Sequence, residues 1–238
     1  GFWKPILVVV MAISLILFEP DLGSSAVIFV VALSIMFIAG APMKHLLLIF
    51  SLGMSVFVVM ILAVPWRMKR ILSFMNPWET YQEEGWQLSH SLIAFGRGDW
   101  FGVGLGESLQ KLHYLPDAQT DFIFAIIAEE MGLLFCILLV MLFSFLIFKC
   151  FYIGRLARHA QYYLGSYIAY GAGICIALHV FINIGVSSGM LPTKGITLPF
   201  ISFGGTNLLL MFALVALVLR INFEISESFS NKNKILNV

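Results

Sequence analysis

The chain has 238 residues, of which 60% are hydrophobic and only 11% are charged, and its net charge is +1. A soluble domain of this length could not hide so much apolar surface in one core, which excludes an ordinary water-soluble enzyme. No basic stripe able to neutralise phosphates is present, which excludes a nucleic-acid partner.

The apolar residues form runs of about 18, each long enough to cross about 30 Å of hydrocarbon as a helix. We therefore expect an all-α integral membrane protein, a polytopic helical bundle in one membrane domain. In chain order, the predicted spans are 5–18, 22–39, 46–64, 122–148, 162–184 and 207–221. The opening residues show neither an initiator Met nor the order of a signal peptide, so we expect a fragment of a longer protein.

Residues 65–121, between the third and fourth spans, form the one large predicted loop. Within it, residues 85–95 have the apolar spacing of an amphipathic helix that lies along or dips into the membrane interface, or simply covers the bundle. The glycines of FGRGDWFGVGLG only superficially resemble a nucleotide-binding loop, because no strand precedes them.

Charge differs between the two sides of the predicted bundle. One side has eight basic and two acidic residues: Lys4, Lys44, Lys149, Arg155, Arg158, Arg220, Lys232 and Lys234 against Glu224 and Glu227. The other side has six basic residues against eleven acidic ones and includes the large loop. By the positive-inside rule, the loop faces outward and the C-terminus is cytoplasmic.

Asp121, in YLPDAQTDFIFAIIAEE, comes directly before the fourth span. One interpretation is a helix cap, since Asp is favoured at helix starts. The other is a general base, because burial beside apolar walls raises the pKa of a carboxyl group. Both interpretations stay open at this stage.

Glu129 and Glu130 follow about two helical turns later, about 80° and 180° around the helix from Asp121, so the three do not form an obvious carboxylate pair. We favour a structural role for both. The three cysteines, Cys136, Cys150 and Cys175, lack metal-ligand spacing and are interpreted as packing residues. His90, His113 and His179 are too dispersed to suggest a metal motif.

Six basic residues fall on the predicted outer side: Arg67, Lys69, Arg70, Arg97, Lys111 and Lys194. Such a set suits a diphosphate, since Arg offers a planar fork and Lys a point charge. Ion pairing with the acidic residues of the loop, or contact with lipid headgroups, explains any single one equally well.

Several segments together resemble one family. FEPDLGSS, NPWE, GWQLSHSLIAFGRGDWFGVGLG, YLPDAQTDFIFAIIAEEMG and GMLPTKGITLPFISFGG resemble, in order, the motifs of the SEDS family (shape, elongation, division and sporulation), which polymerises peptidoglycan. The residues of these motifs resemble the division branch of the family more closely than the elongation branch. The resemblance implies about ten spans in the whole protein, of which these six would be the last.

The resemblance also implies a reaction. A peptidoglycan glycosyltransferase of this family joins lipid II units into glycan strands at the outer face of the bacterial cytoplasmic membrane, and the motif that contains its catalytic Asp matches Asp121. The undecaprenyl diphosphate leaving group needs cations, for which Lys111, Arg70 and Lys194 are candidates, and a divalent cation (Mg or Mn) is a candidate cofactor. Gln110, Thr120, Ser202 and Gln87 are candidate hydrogen-bond partners of the substrate.

Two positions depart from the family pattern: Gln119 stands where His is common, and Phe203 where Tyr is usual. The partners that the resemblance implies are a class B penicillin-binding protein, other membrane proteins of the division machinery and membrane lipids. Two alternatives stay open. One is a flippase for the lipid-linked precursor, although the spans show no inverted symmetry. The other is a non-catalytic scaffold that binds a penicillin-binding protein through the small residues of 165–173.

Overall fold

The computed structural model describes residues 3–19 and 21–236, and all regular structure within these ranges is helical. The helices are α1 (Trp3–Phe18), α2 (Leu22–Ile38), α3 (Met43–Leu62), α4 (Pro65–Met75), α5 (Trp86–Gly98), α6 (Ile123–His159), α7 (Tyr163–Ser187) and α8 (Gly205–Leu236). A single π-helical turn, Gln110–Tyr114, lies between α5 and α6. Outside the description lie Gly1, Phe2, Pro20, Asn237 and Val238, and also the side chains of Trp3, His113 and 228–236, which include Lys232 and Lys234.

Four helices in the described residues are long and apolar enough to cross a membrane: Met43–Leu62, Ile123–His159, Tyr163–Ser187 and Gly205–Glu227. The first two predicted spans are also apolar helices, but shorter ones. Large apolar side chains such as Leu7, Leu48 and Phe145 are about 60% exposed or more, an arrangement that suits lipid rather than water. These observations confirm an all-helical membrane protein, while the count of six crossings stays a prediction.

The central core is built by α6, α7 and α8. Ala157, Ala169 and Ile176 are fully buried where these helices meet. Cys136 and Cys150 are buried in the same core, in agreement with their interpretation as packing residues.

The small residues of α7 are used within the chain. A methyl group added at Gly173 would lie 3.0 Å from Cβ of Cys150, and one added at Gly171 would lie 2.9 Å from Cδ1 of Ile35. Both glycines therefore permit close packing against α6 and α2. The predicted partner-binding face at 165–173 is thus largely covered by the protein's own helices.

Helix α6 is longer than the predicted fourth span and is broken at Gly132, whose φ is 74° and ψ is −179°. The break separates a short N-terminal piece, 123–131, from a long continuous helix, 133–159. It also frees backbone groups for the large loop, whose Val103 N–H donates to Glu129 O and whose Asp99 O accepts from Leu133 N–H, at 3.0 and 2.9 Å. The loop is therefore joined to the first third of α6 by backbone hydrogen bonds.

The predicted amphipathic helix exists as α5, which packs against α6 and α7. Its residues Leu88, Ser89, Ser91 and Ala94 are buried, and Ser91 donates to the carbonyl of Ser187 at 2.6 Å. This agrees with the alternative in which the segment covers the bundle, because its apolar face packs against neighbouring helices.

Two glycines of α5 give a matched test of this packing. We expect Gly98→Ala to destabilise the protein by about 1–3 kcal/mol, because the added methyl group would collide with the backbone carbonyl of Ala128. Gly96→Ala meets nothing within 4 Å and should be neutral or slightly stabilising. Thermal unfolding of the two variants of the full-length protein in detergent measures the difference, and equal stability would contradict the close contact.

Candidate functional site

Asp121 lies in a turn immediately before α6. The carbonyl of Asp117 accepts hydrogen bonds from the N–H groups of Thr120, Asp121 and Phe122, at 3.1, 3.0 and 3.3 Å. The residue that caps α6 is Phe122, and no side chain provides a capping hydrogen bond. The helix-cap interpretation of Asp121 is therefore wrong, and its carboxylate is not engaged by the start of the helix.

The Asp121 carboxylate is half-buried and lies against the backbone of Gly195. A methyl group added at Gly195 would be 2.7 Å from Oδ2, so any side chain there would have to displace the Asp121 carboxylate. Burial raises the pKa of Asp121, repulsion by Asp117 raises it further, and Lys194 opposes both. A carboxylate with a raised pKa is a better proton acceptor than an exposed one.

The backbone of the turn is held by α7. The side-chain amide of Asn183, which is fully buried, donates to the carbonyls of Asp121 and Ile196, at 2.9 and 2.7 Å. Its Oδ1 has no hydrogen-bond partner among the described residues. Sequence reasoning missed Asn183, although a lone amide in an apolar run was a signal that a buried backbone group needed a donor.

Ser202 makes a second connection between the same segments. Its hydroxyl donates to Thr120 O at 2.6 Å and accepts from Leu198 N–H at 2.7 Å. The N–H of Phe203 donates to Gln119 O at 2.9 Å. Since the hydroxyl of Thr120 is itself directed to Asp117 O, both predicted hydroxyls are used to hold the turn.

Lys194 directly precedes Gly195, and its charge acts on Asp121. Its ammonium pairs with Asp21 at the start of α2, with Nζ 2.9 Å from Oδ1. The structure therefore brings together four of the predicted site residues, Asp121, Lys194, Thr120 and Ser202. It adds Asp21, which belongs to the FEPDLGSS segment but was not among the predicted site residues.

A second polar cluster lies beyond the first turns of α6. Glu129, fully buried, accepts from Arg97 at 2.5 Å, from the hydroxyl of Ser108, and from the N–H groups of Leu109 and Gln110, both at 3.3 Å. An uncompensated carboxylate at this depth would be strongly unfavourable. The structural role predicted for Glu129 agrees with these contacts.

Two predicted substrate contacts, Gln110 and Lys111, belong to this second cluster. Lys111 Nζ lies 2.6 Å from Oε1 of Glu130, and Gln110 Oε1 lies 2.7 Å from Nδ1 of His90. The structure thus groups both with the loop and the two glutamates rather than with Asp121.

The remaining two predicted contacts lie elsewhere on the large loop. Arg70 stacks on Trp66 of α4, with 5.3 Å from its guanidinium carbon to the ring centroid. Gln87 is half-buried on α5.

The divalent cation stays a prediction. Among the described residues, no three His, Cys, Asp or Glu side chains lie close enough together to hold an ion. Mg²⁺ usually takes one or two carboxylates and completes its shell with water and substrate phosphates.

An apolar cavity of about 410 Å³ lies among α1, α2 and α3. Its lining includes Ile13, Phe29 and Phe57 but neither Asp121 nor Lys194. It is therefore separate from the candidate site.

The chain is similar in sequence to a known family and to several named proteins. The family described as "Cell cycle protein" (FTSW_RODA_SPOVE) matches residues 1–227. The chain is 48% identical over 227 residues to "Probable peptidoglycan glycosyltransferase FtsW" of Saccharophagus degradans, covering 95% of this chain and 59% of that protein. It is 45% identical over 224 residues to the protein of the same name from Escherichia coli O6:H1, covering 94% of this chain and 54% of that protein.

A solved structure has the same fold. It is described as "Structural coordination of polymerization and crosslinking by a peptidoglycan synthase complex", and it matches with a TM-score of 0.71 and 24% identity. The match covers 94% of this chain and 62% of that one. The chain thus spans a little over half the length of the relatives it matches.

Proposed function

Because the chain belongs to the FtsW, RodA and SpoVE family of cell cycle proteins, we propose that the whole protein is a peptidoglycan glycosyltransferase. It polymerises lipid II into glycan strands for septal wall synthesis during cell division. The named relatives support this activity, since they are probable peptidoglycan glycosyltransferases.

The observation that carries the proposal is the Asp121 carboxylate. It is half-buried, its pKa is raised by burial and by Asp117, and no described residue donates a hydrogen bond to it. A carboxylate in this state is suited to take a proton from a substrate hydroxyl. In the proposed orientation, the start of α6 lies at the outer membrane surface, where a lipid-anchored sugar would meet water.

In the proposed reaction, Asp121 accepts the proton of the acceptor sugar's 4-hydroxyl as that oxygen attacks the donor's anomeric carbon. A new C–O bond forms, the bond between the anomeric carbon and the phosphate oxygen breaks, and undecaprenyl diphosphate leaves with the electron pair. Proton removal by a placed base typically contributes about 10²–10⁴-fold to a rate.

The leaving diphosphate needs positive charge, and Lys194 is the cation beside Asp121. Lys111 and Arg70 stay predicted phosphate contacts, although Lys111 would have to exchange its pair with Glu130. Gln110 and Gln87 stay predicted hydrogen-bond partners. A divalent cation carried by the diphosphate would add Lewis-acid stabilisation of the leaving group.

The proposal places the protein in the bacterial cytoplasmic membrane, with residues 65–121 outside and the C-terminus inside. The charge asymmetry of the two sides supports this orientation. The proposed partners are a class B penicillin-binding protein and other division proteins of the membrane. The similarity in fold to a chain of a peptidoglycan synthase complex is compatible with that partnership.

A polymerisation assay tests the function. The full-length protein, purified with its transpeptidase partner, is given labelled lipid-linked disaccharide-pentapeptide, and the products are separated by size. We expect glycan strands that a muramidase digests.

The same preparation in liposomes separates this activity from the two alternatives. A flippase would move labelled precursor across the bilayer without forming polymer, and a scaffold would bind its partner without doing either. Either result would contradict the proposed activity.

A further inference from the structure

The ion pair between Lys194 and Asp21 joins two distant parts of the chain beside the proposed base. Nζ of Lys194 lies 2.9 Å from Oδ1 of Asp21, and each side chain is about one-third exposed, at 33% and 36%. A pair this exposed adds little to stability, so its position beside Asp121 is its more informative feature.

The stem of the lysine side chain packs on the start of α2. Its methylene groups lie on Gly23, where an added methyl group would be 3.0 Å from Cγ and 3.2 Å from Cδ. A side chain at position 23 would displace the lysine. The glycine therefore leaves room for the lysine side chain to reach Asp21.

Asp21 is itself held firmly at the start of α2. Its carboxylate accepts from Gly23 N–H, Ser24 N–H and the Ser24 hydroxyl, at 3.0, 3.3 and 2.6 Å. Burial raises its pKa, but the Ser24 hydroxyl and Lys194 outweigh that effect and lower the pKa to about 2. Asp21 is therefore negatively charged whenever the protein is at neutral pH.

Lys194 is thus shared between two carboxylates. On one side it pairs with Asp21, and on the other its charge lowers the pKa of Asp121, which Asp117 raises. A lysine free to turn to Asp121 would stabilise the charged carboxylate and make it a weaker base.

We propose that Asp21 is a positioning residue that keeps the ammonium of Lys194 away from the carboxylate of Asp121 and so preserves Asp121 as a proton acceptor. The inference rests on the proposed function, in which Asp121 is the base and Lys194 meets the diphosphate. In that reaction, Lys194 contacts the leaving diphosphate, and Asp21 balances the positive charge of Lys194.

The test is the pH dependence of polymerisation by the full-length protein with its partner, wild type against Asp21→Asn. Asparagine caps helices as well as aspartate, so this change removes the charge and keeps the cap. Since the base must be deprotonated, freeing Lys194 should lower the pKa of Asp121 and move the acidic limb of kcat/KM to lower pH by about 0.5–1 unit. An unmoved limb would overturn the proposal.

Two further variants separate this effect from a structural one. Ser24→Ala removes a hydrogen bond to Asp21 without removing its charge, so the acidic limb should stay in place. In a Lys194→Gln background, Asp21→Asn should no longer move the limb, because its effect passes through the lysine. A shift of the same size in that background would show that Asp21 acts in some other way.

A measurement that needs no activity distinguishes failure of the inference from failure of the proposed function. Carboxyl ¹³C NMR of aspartate-labelled protein, with Asp121 assigned through Asp121→Asn, gives the pKa of Asp121 in wild type and in Asp21→Asn. A lower pKa in the variant without any polymer from the wild type would sustain the charge arrangement and reject the glycosyltransferase. Polymer from the wild type with equal pKa values would reject the positioning role alone.

Discussion

Asp121→Asn in the full-length protein is expected to reduce glycan polymerisation by at least about 10²–10⁴-fold, to background in a gel assay. Asparagine has the same shape but cannot accept the proton of the attacking hydroxyl. The hydrogen bond from Asn183 goes to the backbone carbonyl of residue 121, so the turn should keep its conformation in the variant. Binding to the partner protein should therefore persist, which co-purification measures.

Asp117→Asn is the matched control. Asp117 lies four residues earlier in the same turn, and its side chain is exposed. Its charge raises the pKa of Asp121, so removing it should shift the acidic limb of the rate to lower pH and leave most of the activity at neutral pH. Undiminished polymer from Asp121→Asn would remove that residue from the mechanism.

The pH dependence of the wild type follows from the same shift. The pKa of Asp121 is raised from 3.8 by burial and by Asp117, and a base is inactive when protonated. As the pH is lowered, the rate should therefore begin to fall at a pH above the pKa of an ordinary aspartate.

Gly132→Ala is expected to cause the largest loss of stability. The backbone at Gly132 has φ 74° and ψ −179°, a region open essentially to glycine alone, which costs other residues about 1–3 kcal/mol. An added methyl group would also lie 2.5 Å from Trp100 O and 2.6 Å from Phe101 C, at a further cost of about 1–3 kcal/mol. We expect a strongly lowered unfolding temperature and poor yield.

Gly40→Ala separates the two causes. Gly40 also has a positive φ, 87°, but a methyl group there meets nothing within 4 Å. This variant should show the backbone cost without the collision. If the two variants lose the same stability, the loop does not pack into the break of α6 as described.

The break in α6 also explains a difference from expectation. From sequence, 122–148 looked like one uninterrupted span because glycine is common in membrane helices and Gly132 sits in an apolar run. Only the carbonyls and N–H groups of 99–104, which replace the missing helical hydrogen bonds, make the interruption stable. Such pairing between segments about 30 residues apart leaves no periodic pattern in the sequence.

The candidate site was predicted in part. Resemblance to a family pointed to Asp121, and charge counting pointed to Lys194 and Lys111 alike. The two lysines differ only in their partners, since Lys194 pairs with Asp21 beside the proposed base, whereas Lys111 pairs with Glu130 in the second cluster. Partner choice depends on which helices meet, and that is a property of the folded chain.

The sequence by itself determined that this is a helical membrane protein, because long apolar runs are stable only where their backbone hydrogen bonds close within one helix. It also singled out an acid at the start of the fourth apolar run. Only the tertiary structure decided that this acid is not a helix cap and that Asn183, Gly195 and Lys194 surround it. These contacts join α7, the segment before α8 and the turn before α6, and their geometry arises from packing of helices far apart in the chain.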